Sequence, residues 1–423
     1  MTSRRGGLWR QRNFALFWTG ESVSEVGNAV TIVAVPLVAI QTLHTSTFVV
    51  ALLNAAAWFP WLVIGVPAGS WVDRLPPRPV MLTCDAVSLA AFASIPAAAW
   101  GGVLTVAQLI AVTLIAGAAS VLFSSSYQVL LPEIVAEEDL TEGNAKLMGS
   151  REIAQIAGPG LGGLISDIAG PAAGLLADAI SFAVSFGCLT AVRRPRERRR
   201  ATQPVKGMLQ GLRFVWRDPY IRVITAFSML ANLALTGVDA LLVVFLVRTL
   251  GLSGSGAGFV YATIGIGGVV GSLIARPLGN RFGTARAMLI ASAGGLSFAL
   301  LLPLAGAGPR LAFAIAAYMC VACGVVAGNV IGAAFRQSYV PPEILGRVSS
   351  ATMTLAFAMM PAGALLAGTL ATDLGIRNTL WILTALIAAS GLLYLFTPLR
   401  SLRDLPRRPQ PLSPGAGGAS RRA

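Results

Sequence analysis

The sequence predicts an all-α membrane protein with twelve transmembrane helices in two six-helix bundles that are related by a pseudo-two-fold axis. Three observations predict this fold. Hydrophobic residues make up 55% of the 423 positions and charged residues only 12%, whereas a soluble domain carries about 25% charged residues. The apolar residues form continuous runs of the length that crosses a bilayer, about twenty residues. The two halves of the chain also repeat short sequences in the same order.

The apolar runs define the individual helices. They lack the alternation of apolar and polar residues that a transmembrane β-barrel would show. The predicted spans are residues 14–41, 47–71, 79–100, 104–130, 151–169 and 171–192 in the first half, and 220–248, 255–277, 286–306, 310–335, 347–371 and 377–397 in the second.

Basic residues set the predicted orientation of these spans. Arginine and lysine collect in both terminal segments and in the even-numbered connections, whereas the odd-numbered connections hold only Arg248, Arg310 and Arg377. Because positively charged connections stay in the cytoplasm, both termini are predicted to be cytoplasmic, which requires an even number of spans. The same clustering accounts for the net charge of +14, so no nucleic-acid partner is expected.

The predicted organisation of the chain follows from the spans. Residues 1–13 form a cytoplasmic N-terminus, 14–192 the first bundle, 193–218 a basic cytoplasmic linker and 219–397 the second bundle. The remaining residues, 398–423, form a cytoplasmic tail rich in proline, glycine and arginine, which is expected to be disordered because such a composition buries little apolar surface.

An internal repeat relates the two bundles. Trp9 and Trp216 precede the first and seventh spans and lie 207 positions apart, and Arg74 and Arg281 follow the second and eighth spans with the same separation. Repeated halves of one topology are typical of secondary transporters, which bind a substrate between the halves near the middle of the membrane.

The connection between the second and third spans contains Gly69, Asp73, Arg74 and Arg78. A glycine permits close helix approach, the carboxylate of Asp73 could stabilise the positive N-terminus of a neighbouring helix, and the arginines could pair with carboxylates. Together these residues could form a latch that holds one face of the protein closed. An ordinary polar loop that obeys the positive-inside rule has the same residue types, so residue physics alone leaves both interpretations open.

The first span carries two carboxylates and an amide on one helix face. Glu21, Glu25 and Asn28 are spaced i, i+4 and i+7, and Glu25 lies roughly 16 Å from the start of the span, close to the middle of the membrane. An ionised carboxylate there costs roughly 2.5–3.5 kcal/mol on insertion scales. The side chain of Glu25 is therefore expected to face a cavity or to be neutral.

Two further acids, Asp178 and Asp239, lie in the sixth and seventh spans. Asn232 corresponds to Glu25 at the separation of 207, and Asp239 follows Asn232 by seven residues, so both repeats are predicted to present polar faces inward. Internal pairing that fixes helix packing is the alternative for each acid. The candidate proton-binding residues are Glu25, Glu21, Asp178 and Asp239, and the candidate cavity-lining residues are Asn28, Asn232, Trp58 and Tyr261.

Residues for other chemistries are missing from the sequence. The only histidine, His44, falls in a predicted outer connection, so carboxylates must carry any proton transfer within the membrane. The sequence has no nucleotide-binding, zinc-binding or hydrolase motif, so no enzymatic activity, cofactor or metal site is expected.

The fifth span contains Gly158, Pro159, Gly162 and Gly163. Small residues allow helices to pack closely in lipid, and proline bends a helix. Helix packing alone explains this run, but it is also similar to the antiporter motif of drug exporters in the major facilitator superfamily.

Two other stretches resemble the same superfamily. The loop Gly69–Arg78 is similar to its loop signature, apart from Pro76 and Pro77. The opening RNFALFWTGESVSEVGNAVTIVAVPL is similar to the branch that contains macrolide-efflux and enterobactin-exporter proteins. The resemblance implies the major facilitator fold, with the latch and the antiporter motif at the residues named above.

The resemblance also implies a function. The expected activity is export of a small amphipathic or hydrophobic compound, in exchange for protons, by a monomer in the bilayer of the bacterial cytoplasmic membrane. An importer or uniporter of a small metabolite with the same fold is one alternative. A membrane receptor or assembly protein without transport activity is the other.

Overall fold

The computed structural model describes residues 8–72, 75–193, 208–396 and 398–406, and these ranges contain helices and short connections but no strand. The helices are α1 (Arg12–Leu37), α2 (Thr47–Val72), α3 (Pro77–Trp100), α4 (Val106–Ile134), α5 (Leu140–Ala169), α6 (Pro171–Ala191), α7 (Met208–Arg217), α8 (Pro219–Val244), α9 (Gly254–Phe282), α10 (Thr284–Leu289), α11 (Leu311–Tyr339), α12 (Pro342–Leu374) and α13 (Ile376–Leu392). A π turn (Ile290–Gly295) and a 3-10 helix (Phe298–Leu304) follow α10 and complete its span.

Each of the twelve predicted spans corresponds to one helical segment, which confirms the predicted fold class. Eleven segments among the described residues are long and apolar enough to cross a membrane. The twelfth, α5, begins eleven residues before its predicted span, at Leu140. Its first turns are polar, with an ion pair of 2.9 Å between Glu142 and Lys146, and hydropathy therefore gives no sign that the helix starts there.

Helices α1–α6 form the first bundle and α8–α13 the second. Within the first, α1 packs on α5 and α6. Within the second, α8 packs on α12 and α13. Two helix pairs, α5 with α9 and α2 with α12, make the main contacts between the bundles.

The two bundles meet at one face of the protein and separate towards the other. We call the face at which α1 begins and α7 lies the linker face, and the face at which α1 ends the far face. One buried apolar cluster near the far face combines residues of both bundles, including Leu37 and Leu242. At the linker face each bundle has its own cluster: the first contains Phe14, Met81 and Leu131, and the second contains Ile224, Met288 and Val348. The space between the bundles therefore opens at the linker face.

The helices α1 and α8 end in the same way. Each is extended by a π turn, Val38–Thr42 after α1 and Phe245–Thr249 after α8. The chain then takes a left-handed backbone conformation, with φ of 49° at His44 and 69° at Gly251. All of these positions correspond at the separation of 207 residues, so the repeat extends to backbone geometry.

Part of the predicted linker is a helix. Val215 of α7 is buried, and Gly211 lies against the backbone of Arg347 at the start of α12. The guanidinium of Arg347 donates a hydrogen bond to the side chain of Gln210. A short amphipathic helix between charged segments gives little signal in hydropathy, because its polar and apolar residues offset each other. Residues 194–207, which carry the arginine run, lie outside the described residues.

The start of the predicted disordered tail is ordered against α10. The amide of Thr284 donates to Asp404 Oδ1 at 2.9 Å, and the amide of Leu405 donates to Thr284 Oγ1 at 2.8 Å. Asp404 thus caps the first turn of α10, and Leu405 is buried in the apolar cluster of the second bundle. The expectation of disorder was wrong for residues 402–406, and residues 407–423 lie outside the described part of the chain.

Candidate functional site

Polar side chains of α1 and α8 line the space between the bundles. Asn28 of α1 and Asp239 of α8 are exposed, although the residues on either side of Asp239, Val238 and Ala240, are buried. Within their bundles α1 packs on α5 and α6, and α8 packs on α12 and α13. We therefore assign the exposed side chains to the helix faces that border the space between the bundles. That these two polar faces form the substrate site remains a prediction.

Glu25 is partly exposed on the same face of α1. Its Oε1 atom lies 3.7 Å from Nε of Arg151 on α5, and the two side chains are 18% and 62% exposed. A long contact with a solvated guanidinium contributes little energy, so the charge of Glu25 is weakly compensated. Glu21, one turn nearer the linker face, has no hydrogen bond or ion pair to any described residue.

Asp178 lies in a helix contact and not in the cavity wall. It is 0% exposed, and it accepts hydrogen bonds from Thr31 Oγ1 at 2.6 Å and from Ser181 Oγ at 3.1 Å. A Cβ atom at Gly27 would collide with Asp178 and Ser181, so this glycine allows α1 to approach α6. The geometry matches the packing alternative for Asp178.

Two candidate cavity residues lie behind the wall or at its edge. Tyr261 is buried, and its hydroxyl donates to the backbone carbonyl of Asp239 at 3.4 Å. Trp58 lies beside Phe357 of α12, with ring centroids 6.1 Å apart. Tyr261 therefore supports the cavity wall from within the second bundle, and Trp58 belongs to the contact between α2 and α12.

Asn232 lines a small pocket within the second bundle. The pocket has a volume of about 90 Å³, and its polar lining comes from Ser228, Asn232, Asn329, Arg336 and Tyr394 among other residues. The Asn232 amide donates to the carbonyl of Ser228 at 2.7 Å.

Sequence reasoning missed Asp85 of α3. Its side chain is 1% exposed, Oδ2 accepts a hydrogen bond from Ser185 Oγ at 2.7 Å, and Oδ1 has no hydrogen-bond partner. A lone acid within an apolar span was the available signal. Ser185 also packs against Gly20 of α1, so Asp85 belongs to the same part of the first bundle as Glu21.

The glycines of α5 make contacts in two directions. Gly158 and Gly162 face α1: a Cβ atom at Gly162 would lie 2.6 Å from the carbonyl oxygen of Val30. Gly163 faces the other bundle, where a Cβ atom would collide with the backbone of Gly254, and Pro159 lies against Gly258 of α9. This run therefore packs α5 on its own bundle and also forms the contact between the bundles, which we call the α5–α9 seam.

Two polar contacts close the far face, and neither was predicted. Asp167 of α5 accepts hydrogen bonds from the amides of Gly254 and Ser255, both at 2.8 Å, in the first turn of α9. Arg248 donates to the carbonyl of Thr45. Both contacts join the first bundle to the second. A serine followed by glycine at the start of α9 was a signal for a helix N-terminus, but nothing in the sequence indicated that its partner is on α5.

The predicted loop latch is described only in part. Gly69 lies in the last turns of α2, and Asp73 and Arg74 lie outside the described residues. Arg78 was expected to pair with a carboxylate, but it donates to the carbonyls of Leu189 and Thr190 at 2.9 and 2.7 Å. Carbonyls at the end of a helix attract cations, so Arg78 stabilises the end of α6 within its own bundle. The latch remains a prediction.

Comparison with known proteins agrees with this architecture. Residues 7–413 match the family of the major facilitator superfamily described as transmembrane secretion effector. The multidrug efflux pump Tap of Mycobacterium tuberculosis is 28% identical over 409 residues, which span 92% of this chain and 93% of that protein. The macrolide efflux protein A of Streptococcus pyogenes is 21% identical over 376 residues, 88% of this chain and 92% of that protein.

Solved structures show the same fold. A crystal structure of the nucleoside transporter NupG gives a TM-score of 0.77 at 13% identity over 91% of this chain and 99% of that one. A bacterial homologue of the iron transporter ferroportin, in an inward-facing state, gives 0.73 at 18% identity over 94% of this chain and 100% of that one. Since the family match covers almost the entire sequence, the chain belongs to the transmembrane secretion effector family of the major facilitator superfamily.

Proposed function

We propose that the protein exports small amphipathic compounds across the bacterial cytoplasmic membrane in exchange for protons. The observation that carries the proposal is the cavity between the bundles, which exposes Glu25, Asn28 and Asp239 at membrane depth and is closed at the far face. The efflux pumps among the relatives support the direction of transport.

The proposed orientation places the linker face and both termini in the cytoplasm, as the distribution of basic residues predicts. The cavity then opens to the cytoplasm, and a compound enters it there. The far face must open, and the linker face must close, before the compound leaves. In a two-bundle transporter this exchange is largely a rocking of one bundle against the other.

Glu25 is the proposed coupling residue. An ionised carboxylate is costly at this depth, and its contact with Arg151 is too long to offset much of that cost. Proton binding from outside would remove the charge and weaken the attraction between α1 and Arg151. Glu21, one turn nearer the cytoplasm, is placed to accept the proton on its way in. Each proton that enters contributes about 2.3 kcal/mol per 100 mV of membrane potential to the free energy that drives export.

Transport by purified protein in liposomes tests this proposal. A fluorescent amphipathic compound is followed with and without an imposed pH gradient, in wild type and Glu25→Gln. We expect the variant to lose most of its gradient-driven accumulation, because glutamine cannot bind and release the coupling proton, and to keep exchange of compound down its own gradient.

Glu152→Gln is the matched control, because Glu152 is an exposed acid that directly follows Arg151 in α5. It should accumulate the compound like the wild type. Normal gradient-driven accumulation by Glu25→Gln would refute coupling through this residue. Transport that is indifferent to the pH gradient in the wild type would instead favour a uniporter.

A further inference from the structure

Asp239 occupies an unusual place in α8. Its side chain is exposed, but Leu241 and Leu242, two and three residues further along the helix, are 0% exposed in the apolar cluster that both bundles share. Asp239 therefore lies at the closed end of the cavity, immediately below the contact that seals the far face. A compound that enters from the linker face meets this carboxylate last.

The carboxylate of Asp239 has no partner in the described part of the chain. Three other acids at or near membrane depth have one: Thr31 and Ser181 donate to Asp178, Ser185 donates to Asp85, and Arg151 approaches Glu25. Glu21 also lacks one among the described residues, but it lies near the linker face, far from the closed end of the cavity. An acid in a membrane protein normally pairs with another group or lines a pathway. Since Asp239 faces the cavity, a cationic group that enters the cavity can supply its counter-charge.

The surroundings of Asp239 suit an organic cation. Tyr261 contacts its backbone, and the ring of Tyr318 lies 6.5 Å from that of Tyr261. The hydroxyl of Tyr318 is buried and has no hydrogen-bond partner in the described ranges. The carboxylate therefore lies on a wall that is backed by aromatic and apolar side chains, which suits a positive group that carries hydrocarbon.

The opposite wall is apolar at the same depth. Ile32 of α1 corresponds to Asp239 at the separation of 207 residues, and it is 38% exposed. It follows Asn28 by four residues and so lies on the same face of α1. A ligand at the closed end of the cavity thus meets a carboxylate on one side and a hydrocarbon surface on the other.

From this arrangement we infer that Asp239 binds the positively charged group of the transported compound, and that the protein selects amphipathic cations. The inference rests on the proposed function and separates two roles. Asp239 recognises the compound at the closed end of the cavity, and Glu25 couples transport to protons nearer its open end.

A pair of isosteric dyes tests the inference, one with a quaternary ammonium group and one with a neutral carbon in its place. A quaternary ammonium is charged at every pH, so protonation of the dye does not enter. Equilibrium binding to purified protein is measured for wild type, Asp239→Asn and Asp239→Glu. Transport of both dyes is then measured in liposomes.

We expect Asp239→Asn to weaken binding of the cationic dye at least tenfold and to change binding of the neutral dye less than twofold. Asp239→Glu, which restores the charge, should recover most of the affinity for the cation. Asp373→Asn removes an exposed acid at the far end of α12, outside the cavity, and should bind both dyes like the wild type.

Unchanged binding of the cation by Asp239→Asn, or an equal loss for both dyes, would overturn the inference. Thermal stability of each variant in detergent distinguishes such an equal loss from unfolding. If the wild type binds the cation through Asp239 but never accumulates it against a gradient, the inference holds and the proposed export function fails.

Discussion

The two faces of the protein are built differently. At the far face the bundles share one apolar cluster, and glycines bring α5 and α9 into backbone contact. At the linker face each bundle encloses its own cluster, and α7 packs on α8 and α12 of the second bundle. A bundle with its own core keeps its shape when it moves, so the difference indicates rigid bundles and a separable contact at the far face. The free energy of the far-face contact then sets which side of the cavity is open.

A side chain introduced into the α5–α9 seam should have the largest effect on export. In Gly163→Leu the new side chain would collide with the backbone of Gly254, which has no alternative position. Overpacking costs typically 1–3 kcal/mol and occasionally more, and 3 kcal/mol is roughly a 100-fold shift towards separated bundles. We expect export to fall at least tenfold while the protein still folds, because the collision is between bundles and not within one.

Gly160→Leu is the control for this variant, since a Cβ atom at Gly160 meets nothing within 4 Å. The measurement is export together with labelling of a cysteine introduced at Asn28 by a maleimide that cannot cross the membrane. Increased labelling from the far face in Gly163→Leu, and not in Gly160→Leu, is the expected result. Equal behaviour of the two variants would show that the seam does not hold the far face closed.

The rigidity of the first bundle should depend on Asp178. Replacement by alanine leaves the hydroxyl of Thr31 without its acceptor, although Ser181 Oγ still donates to the backbone carbonyl of residue 178 at 2.7 Å. An unsatisfied buried group costs about 1–3 kcal/mol. Asp178→Ala should therefore lower the thermal stability in detergent, whereas Asp178→Asn keeps an acceptor and should lose less. Because Asp178 does not line the cavity, Asp178→Asn should retain gradient-driven export. If Asp178→Asn loses gradient-driven export but keeps the thermal stability of the wild type, Asp178 belongs to the proton pathway.

A smaller effect is expected for Asp167. Its carboxylate stabilises the N-terminus of α9 from the other bundle, and such contacts contribute about 0.3–1 kcal/mol, or roughly a twofold to fivefold change in the equilibrium between closed and open far faces. Asp167→Asn should increase far-face labelling at position 28 by that factor and leave thermal stability unchanged. Asp373→Asn removes an exposed acid from the same face and should label like the wild type. Equal labelling of Asp167→Asn and Asp373→Asn would show that the contact of Asp167 with α9 does not control opening of the far face.

The sequence predicts the fold well because membrane insertion leaves a strong local signal. Each span is an apolar run, and Asn28 and Asp239, the polar positions that helix periodicity and the repeat indicate, are both exposed. The partners of the acids were harder to predict. Thr31 lies 147 positions from Asp178, and Gly254 lies 87 positions from Asp167. Such contacts depend on how helices pack across a bundle or between bundles, and no local pattern encodes that packing.

The identical ends of α1 and α8 carry information about the history of the chain. A π turn holds one residue more than a regular turn, and both halves have it at corresponding positions, followed by a left-handed residue. Glycine adopts that conformation freely at position 251, whereas His44 adopts it in the first half, although a side chain disfavours it. Duplication of a half-length ancestor explains both facts. In this account the extra residue was present before the two copies joined. Their sequences then diverged, but both halves kept the same backbone conformation.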